Sequence, residues 1–195
     1  MSNYEIRAKA RQDLGNSIFS NSWMISLVVH LLVGLILGAC SSILPGIGAI
    51  IVTGPLYVGM AKYFLLLARE PAEAKLETSF SGFNDFGANL LIGLMSGLFV
   101  FLWSLLLIVP GIIKAYAYSM AFYIKNDNPT YDWKQCLDES QRMMTGNKGK
   151  LFLLDLSFIG WILLGALCCG IGTLWVSPYM EAARANFYED IKNND

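Results

Sequence analysis

The chain has 195 residues, a length that suits one domain. Hydrophobic residues make up 55% of it and charged residues only 15%, which leaves too little polar surface for a soluble domain and excludes a disordered chain. The net charge of −1 supplies no basic field, so nucleic acid is not expected as a partner. The composition therefore predicts an integral membrane protein.

Three long apolar blocks follow one another, at residues 23–68, 88–124 and 151–188. Each is longer than the roughly 20 residues that cross a bilayer once, and proline or glycine interrupts each near its middle. Because backbone in lipid must be hydrogen-bonded internally, helices are favoured over strands. We expect an all-α polytopic membrane protein with six transmembrane helices in three helical hairpins. The interruptions lie at residues 44–48, 109–112 and 169–172.

A short amphipathic stretch ending at glycine precedes each hairpin. In chain order, these stretches carry Ile6 to Leu14 before Gly15, then Phe80, Phe83 and Phe86 before Gly87, then Trp133, Cys136, Leu137 and Met144 before Gly146. Apolar residues at steps of three and four predict helices with one apolar face, which could lie in the membrane interface. We expect a single membrane domain, residues 1–195, with an approximate parallel threefold repeat. The repeats span about residues 1–68, 79–125 and 131–190.

The second helix of the middle hairpin is the weakest of the six. Residues 112–124 are short for a full span, and the sequence leaves open whether this helix crosses completely, tilts or breaks.

The basic residues indicate an orientation. All but one of the 14 Lys and Arg residues lie in the tails, the long connections or the helix halves leading to them, and Lys114 is the exception. The interruptions carry no charge. The positive-inside rule then places both termini in the cytoplasm.

Several runs of this sequence resemble a bacterial membrane family catalogued as domain of unknown function 975. The resemblance covers nearly the whole chain and implies a six-helix protein of the bacterial inner membrane, with no catalytic residues to assign. More distantly, the family is similar to the membrane portion of some glycerophosphodiester phosphodiesterases, whose catalytic part is a separate soluble domain. The runs are FLWSLLLIVPGII from Phe101, YSMAFYI from Tyr118, LFLLDLSFIGW from Leu151, and Pro178-Tyr179 with Phe187 to Asp190.

Ionisable groups within the predicted spans are the candidate site residues. Glu181 and Arg184 are three residues apart on one helix, and Asp155 lies on the preceding helix of the same hairpin, so the three can approach each other. Lys62 lies six residues before the cytoplasmic end of its helix, within snorkelling reach.

Two interpretations of these residues stay open. In one, the charges pair with each other and have a structural role. In the other, they form a polar pocket in which Arg184 binds a lipid phosphate or peptide carboxylate, or Asp155 or Glu181 takes up a proton during transport.

Metal, cofactor and enzyme signatures are lacking. His30 is the single histidine, no ligand spacing for zinc accompanies it, and no phosphate-binding loop or nucleophile motif occurs. Tryptophans at 23, 103, 161 and 175 are interpreted as core or interface anchors. The glycine pairs Gly34 and Gly38, and Gly93 and Gly97, are interpreted as sites of internal helix packing.

The favoured hypothesis is a non-enzymatic membrane protein. It would bind membrane lipid or an amphipathic peptide, or support another membrane protein complex, with a possible role in envelope stress or immunity. The alternatives are a small transporter or transporter accessory subunit and, less favoured, a lipid-modifying enzyme. The oligomeric state stays open.

Overall fold

The computed structural model describes residues 1–45, 47–167 and 171–194, apart from the side chain of Ile171. Within these ranges all regular structure is helical, which confirms the all-α prediction. Two 3-10 helices, Pro71–Glu73 and Leu76–Phe83, join the third and fourth α-helices. The α-helices are α1 (Asn3–Asp13), α2 (Asn21–Ile43), α3 (Gly48–Arg69), α4 (Phe86–Leu106), α5 (Ile108–Tyr118), α6 (Ala121–Asp127), α7 (Trp133–Met143), α8 (Lys148–Leu156), α9 (Ile159–Leu167) and α10 (Ile171–Asn193).

Four helical stretches in the described ranges are long and apolar enough to cross a membrane. They are α2, α3, α4 and the combined stretch Lys148–Leu167, which contains α8 and α9. A membrane protein is thus supported by length and composition, whereas the six predicted spans are not confirmed. Residues 169 and 170 of the third predicted interruption lie outside the described residues.

Helix α3 forms much of the core. Its residues Tyr63, Phe64 and Leu67 are buried, and the Tyr63 hydroxyl lies 2.9 Å from the Ser26 hydroxyl of α2. Together with the surrounding helices, these side chains form one continuous hydrophobic cluster.

Helices α3 and α4 approach closely through glycine. A Cβ on Gly54 would meet the backbone of Asn89, and a Cβ on Gly93 would meet Gly54 itself. By contrast, a Cβ on Gly34 or Gly38 of α2 would have nothing within 4 Å. The glycine pattern of α4 therefore contributes to internal packing at Gly93, and that of α2 faces open space.

Helix α1 begins with a capping box and ends at glycine. Ser2 and Glu5 bond reciprocally at its start, and Gly15 with φ of +94° follows its end. Its apolar residues Ile6 and Ala10 are buried, and α1 packs against α10. The apolar face is therefore covered by protein.

The second amphipathic stretch differs from the predicted glycine-terminated helix. It is the 3-10 helix Leu76–Phe83, in which Gly82 approaches the carbonyl of Pro55 on α3 so closely that a Cβ would not fit. Phe83 and Phe86 are exposed and stack on each other, with ring centroids 6.3 Å apart. Gly87 lies in the first turn of α4 and ends no helix.

The third stretch forms α7, which is capped by Asp132 and followed by Gly146 with φ of +83°. Residues 112–124 form no single helix, and a side chain of α7 packs at the break between α5 and α6. The buried Ser140 hydroxyl donates a hydrogen bond to the Ala117 carbonyl at 2.8 Å and accepts one from the Met120 amide at 3.2 Å. This side chain satisfies backbone groups on both sides of the break between α5 and α6.

The beginnings of α2 and α10 lie side by side. The Trp23 indole donates a hydrogen bond to the Trp175 carbonyl at 3.2 Å, and the Trp175 indole donates one to the Ile18 carbonyl at 3.2 Å. In the predicted series of hairpins these two helix ends would lie on opposite membrane faces, about 30 Å apart. The predicted threefold repeat is therefore not confirmed.

Candidate functional site

Asp155 on α8 and Glu181 and Arg184 on α10 form one cluster of charged side chains, hereafter the charged cluster. Arg184 Nη2 lies 3.2 Å from Asp155 Oδ2, and Arg184 Nη1 lies 3.3 Å from Glu181 Oε1. Arg184 Nε also donates to Asp155 Oδ1 at 3.4 Å. The i,i+3 spacing places Glu181 beside Arg184, and packing of α8 against α10 brings Asp155 to the other edge of the guanidinium.

Two tyrosines complete the cluster. The Tyr116 hydroxyl of α5 donates a hydrogen bond to Asp155 Oδ2 at 3.1 Å, and the Tyr123 hydroxyl of α6 approaches Glu181 Oε2 at 3.5 Å. The sequence analysis missed both residues, because a break between α5 and α6 that places them beside the cluster could not be located from the sequence. The one available signal was their position in residues 112–124, which are short for a full span.

The charged cluster carries one net negative charge. Two carboxylates face one guanidinium, and both edges of that guanidinium are already bound to carboxylate oxygens. The side chains of Asp155 and Glu181 are 18% and 16% exposed, so the excess charge is only partly solvated. The arrangement suits a cation better than an added anion.

A cleft of about 310 Å³ opens beside the charged cluster. The buried Nδ1 atom of His30 has no hydrogen-bond partner in the described part of the chain. The cleft is lined by Ala115, Tyr116, Ser119, Leu151, Asp155 and Arg184.

Lys62 lies apart from the other three predicted site residues. Its side chain is exposed and lines a separate cleft of about 590 Å³ together with Glu70, Glu73 and Glu77. Among the described residues, no hydrogen bond or ion pair joins Lys62 to the charged cluster. The structure thus brings together three of the four candidates.

Lys114 is held against the protein. Its ammonium donates a hydrogen bond to Gln141 of α7 at 2.7 Å and lies over the rings of Trp103 and Tyr118 at 5.3 and 5.5 Å. The two aromatic ring faces and the Gln141 amide stabilise the ammonium group. These contacts explain how a lysine is tolerated near the middle interruption.

A second ionic network joins the ends of α3, α6 and α10. Asp127 binds Arg69 at 2.8 Å and Lys192 at 2.6 Å, and it accepts a hydrogen bond from the Tyr188 hydroxyl at 2.9 Å. Arg69 also binds Glu189 at 2.6 Å. Burial alone would raise the pKa of Asp127, but the hydrogen bonds from these three partners outweigh burial and lower the pKa to about 2.

Comparison with known proteins gives one match. Residues 105–195 match the model of a family described as "Protein of unknown function (DUF975)". This part of the chain is similar to that family. The matched residues include α5 to α10 and therefore the whole charged cluster, and they confirm the resemblance found in the sequence over this part of the chain. No curated protein and no solved structure matches the chain, and the distant likeness to glycerophosphodiester phosphodiesterases is not shown.

In the ranges that the structure describes, no group of three or more His, Cys, Asp or Glu side chains is placed to hold a metal ion.

Proposed function

We propose that this DUF975 protein is a non-enzymatic membrane protein that binds an amphipathic molecule through the molecule's cationic group. The observation that carries the proposal is the net negative charge of the charged cluster beside an open cleft. A carboxylate that is partly desolvated and shares one guanidinium with a second carboxylate gains Coulomb energy from a further cation.

An anionic group is the weaker candidate for this cleft. The sequence suggested that Arg184 could bind a lipid phosphate or a peptide carboxylate. To do so it would first have to release Asp155 or Glu181, which would leave a carboxylate unpaired in an environment of low polarity. A lipid amine or the basic side chain of an amphipathic peptide needs no such exchange.

Apolar surface for the rest of the ligand lies next to the cleft. Phe152 of α8 contacts the ring of Tyr116, with centroids 6.0 Å apart, and Leu153 and Leu156 are exposed on the same helix. Charge at one end and an apolar surface beside it match an amphipathic molecule.

The experiment is native mass spectrometry of the protein from nanodiscs that contain either phosphatidylethanolamine or phosphatidylglycerol, with a cationic amphipathic peptide as a third probe. We expect the wild type to retain phosphatidylethanolamine or the peptide, and Asp155→Asn to retain about tenfold less, because the cluster becomes neutral. The matched control is Asp138→Asn, which removes an exposed carboxylate of α7. Equal retention by both variants, or preferential retention of phosphatidylglycerol at the cleft, would contradict the proposal.

We further propose that the protein resides in the bacterial cytoplasmic membrane with both termini inside. The support is the concentration of basic residues in the tails and long connections.

A further inference from the structure

Three of the five tryptophans line one groove, hereafter the Trp groove. Trp23 lies in the first turn of α2, Trp161 lies on α9 and Trp175 lies near the beginning of α10. Leu164 and Tyr179 extend the apolar wall, and Arg11 of α1 lies at the rim. The volume of about 450 Å³ falls within the range of sites that bind small molecules.

The walls of the Trp groove are fixed by hydrogen bonds. The indoles of Trp23 and Trp175 each donate to a backbone carbonyl, and the rings of Trp23 and Tyr179 lie 5.9 Å apart. The Tyr179 hydroxyl donates to the Arg7 carbonyl at 3.1 Å. Because the donors of these aromatic side chains are already satisfied, the groove presents ring faces and needs little ordering before an apolar chain enters.

Arg11 has no carboxylate partner among the residues that the structure describes. Its guanidinium lies 5.7 Å from the centre of the Tyr179 ring, and the side chain is exposed. Arg69, Arg142 and Arg184, in contrast, each bind at least one carboxylate. Arg11 therefore keeps its forked donors available for an anion, and a phosphate matches that geometry.

The Trp groove lies where a candidate membrane span begins. Trp23 is in the first turn of the stretch Asn21–Ile43, and Arg11 precedes that stretch. Tryptophan is favoured at the boundary between lipid and water, and basic residues just outside a span attract anionic headgroups. The groove thus has a positive charge at its rim and apolar rings below the rim. A phospholipid has the matching order, with a charged headgroup followed by an acyl chain.

We propose that the Trp groove binds one anionic phospholipid, with its phosphate on Arg11 and one acyl chain along Trp161 and Leu164. The site is independent of the charged cluster, because its cationic rim selects the opposite ligand charge and none of the cluster residues lines it. It gives this chain a fixed lipid between α1, α9 and α10.

The test measures quenching of tryptophan fluorescence by brominated lipids. The protein would carry Trp103→Phe and Trp133→Phe, so that only the tryptophans of the groove emit, and would be placed in vesicles containing brominated phosphatidylglycerol or brominated phosphatidylcholine. We expect about a fivefold preference for phosphatidylglycerol, the factor associated with one basic residue near a membrane surface.

Arg11→Gln should reduce this preference to about onefold, Arg11→Lys should retain part of it, and Lys150→Gln, an exposed charge outside the groove, should leave it unchanged. Since Arg11 is exposed, its replacement is not expected to unfold the chain. Equal quenching by both lipids in the wild type, or an unchanged preference in Arg11→Gln, would overturn the proposal. Loss of the preference in Asp155→Asn would show that it originates at the charged cluster and would also overturn it.

Discussion

Asp127 holds three helices together, because it binds two cations and a tyrosine hydroxyl from two other helices. Its side chain is 11% exposed, whereas those of Arg69 and Lys192 are 33% and 44% exposed. The carboxylate is therefore shielded while its partners are partly screened by solvent, and the network contributes less than a fully buried one would.

At this scale we predict that Asp127→Asn lowers the free energy of unfolding by about 1–2 kcal/mol at pH 7. The pKa of Asp127 is lowered from 3.8 to about 2 in the folded protein, so its stabilisation is complete above about pH 4 and is lost as the pH falls toward 2. Denaturation in detergent at pH 7 and pH 3 would measure the difference, which should shrink at the lower pH. Asp138→Asn, the control, should show little effect; equal stability of wild type and Asp127→Asn at pH 7 would contradict the prediction.

The packing of α3 against α4 depends on the missing side chain of Gly54. A Cβ there would meet the backbone of Asn89, which cannot rotate away as a flexible side chain can. At the open face of α2, Gly34 has nothing within 4 Å of the equivalent position. The two glycines provide a matched pair, one in a close helix contact and one in open space.

We predict at the scale of these helices that Gly54→Ala lowers stability by about 1–3 kcal/mol, the usual result of overpacking. Gly34→Ala should be neutral or stabilise by up to about 1 kcal/mol, because alanine is the better helix former. Thermal unfolding of both variants in the same detergent would compare them. Equal melting temperatures for the two variants would exclude the close α3–α4 contact.

At the scale of the whole molecule, the contact between Trp23 and Trp175 bears on how many times the chain crosses the membrane. It places the beginnings of α2 and α10 at one level, whereas six alternating spans would separate them by about the thickness of the hydrocarbon core.

We predict that cysteines introduced at Phe19 and Thr173 react from the same side of the membrane. The four native cysteines would be replaced by alanine first, and labelling by a membrane-impermeant maleimide would be compared in intact and permeabilised spheroplasts. Labelling of the two positions from opposite sides would restore the alternating six-span arrangement.

The sequence predicted the features that depend on local spacing. Glu181 and Arg184 form an i,i+3 pair whatever surrounds them, and Asp155 on the preceding segment needed only one turn to reach them. The helix ends at Gly15 and Gly146 likewise follow from glycine's tolerance of positive φ.

Features that depend on distant partners were beyond prediction from one sequence. Tyr116 joins the charged cluster from α5, beside a helix break whose backbone groups are satisfied by Ser140 on a later helix. Phe83 and Phe86 fit the spacing of an amphipathic α-helix. The structure instead has a 3-10 helix that ends at Phe83, and Gly82 of this helix lies in close contact with α3. An apolar run also cannot distinguish a helix that crosses lipid from one that packs inside protein.

The network at Arg69 has a consequence for biosynthesis. Glu189 follows Arg69 by 120 residues, so at common translation rates it emerges on the order of 10 s later. During that interval Arg69 can pair with Asp127 once residue 127 has been made, but its second partner Glu189 does not yet exist. Helices α2 and α3 are therefore synthesised before α10, and the ion pair between Arg69 and Glu189 can form only after α10 has been made.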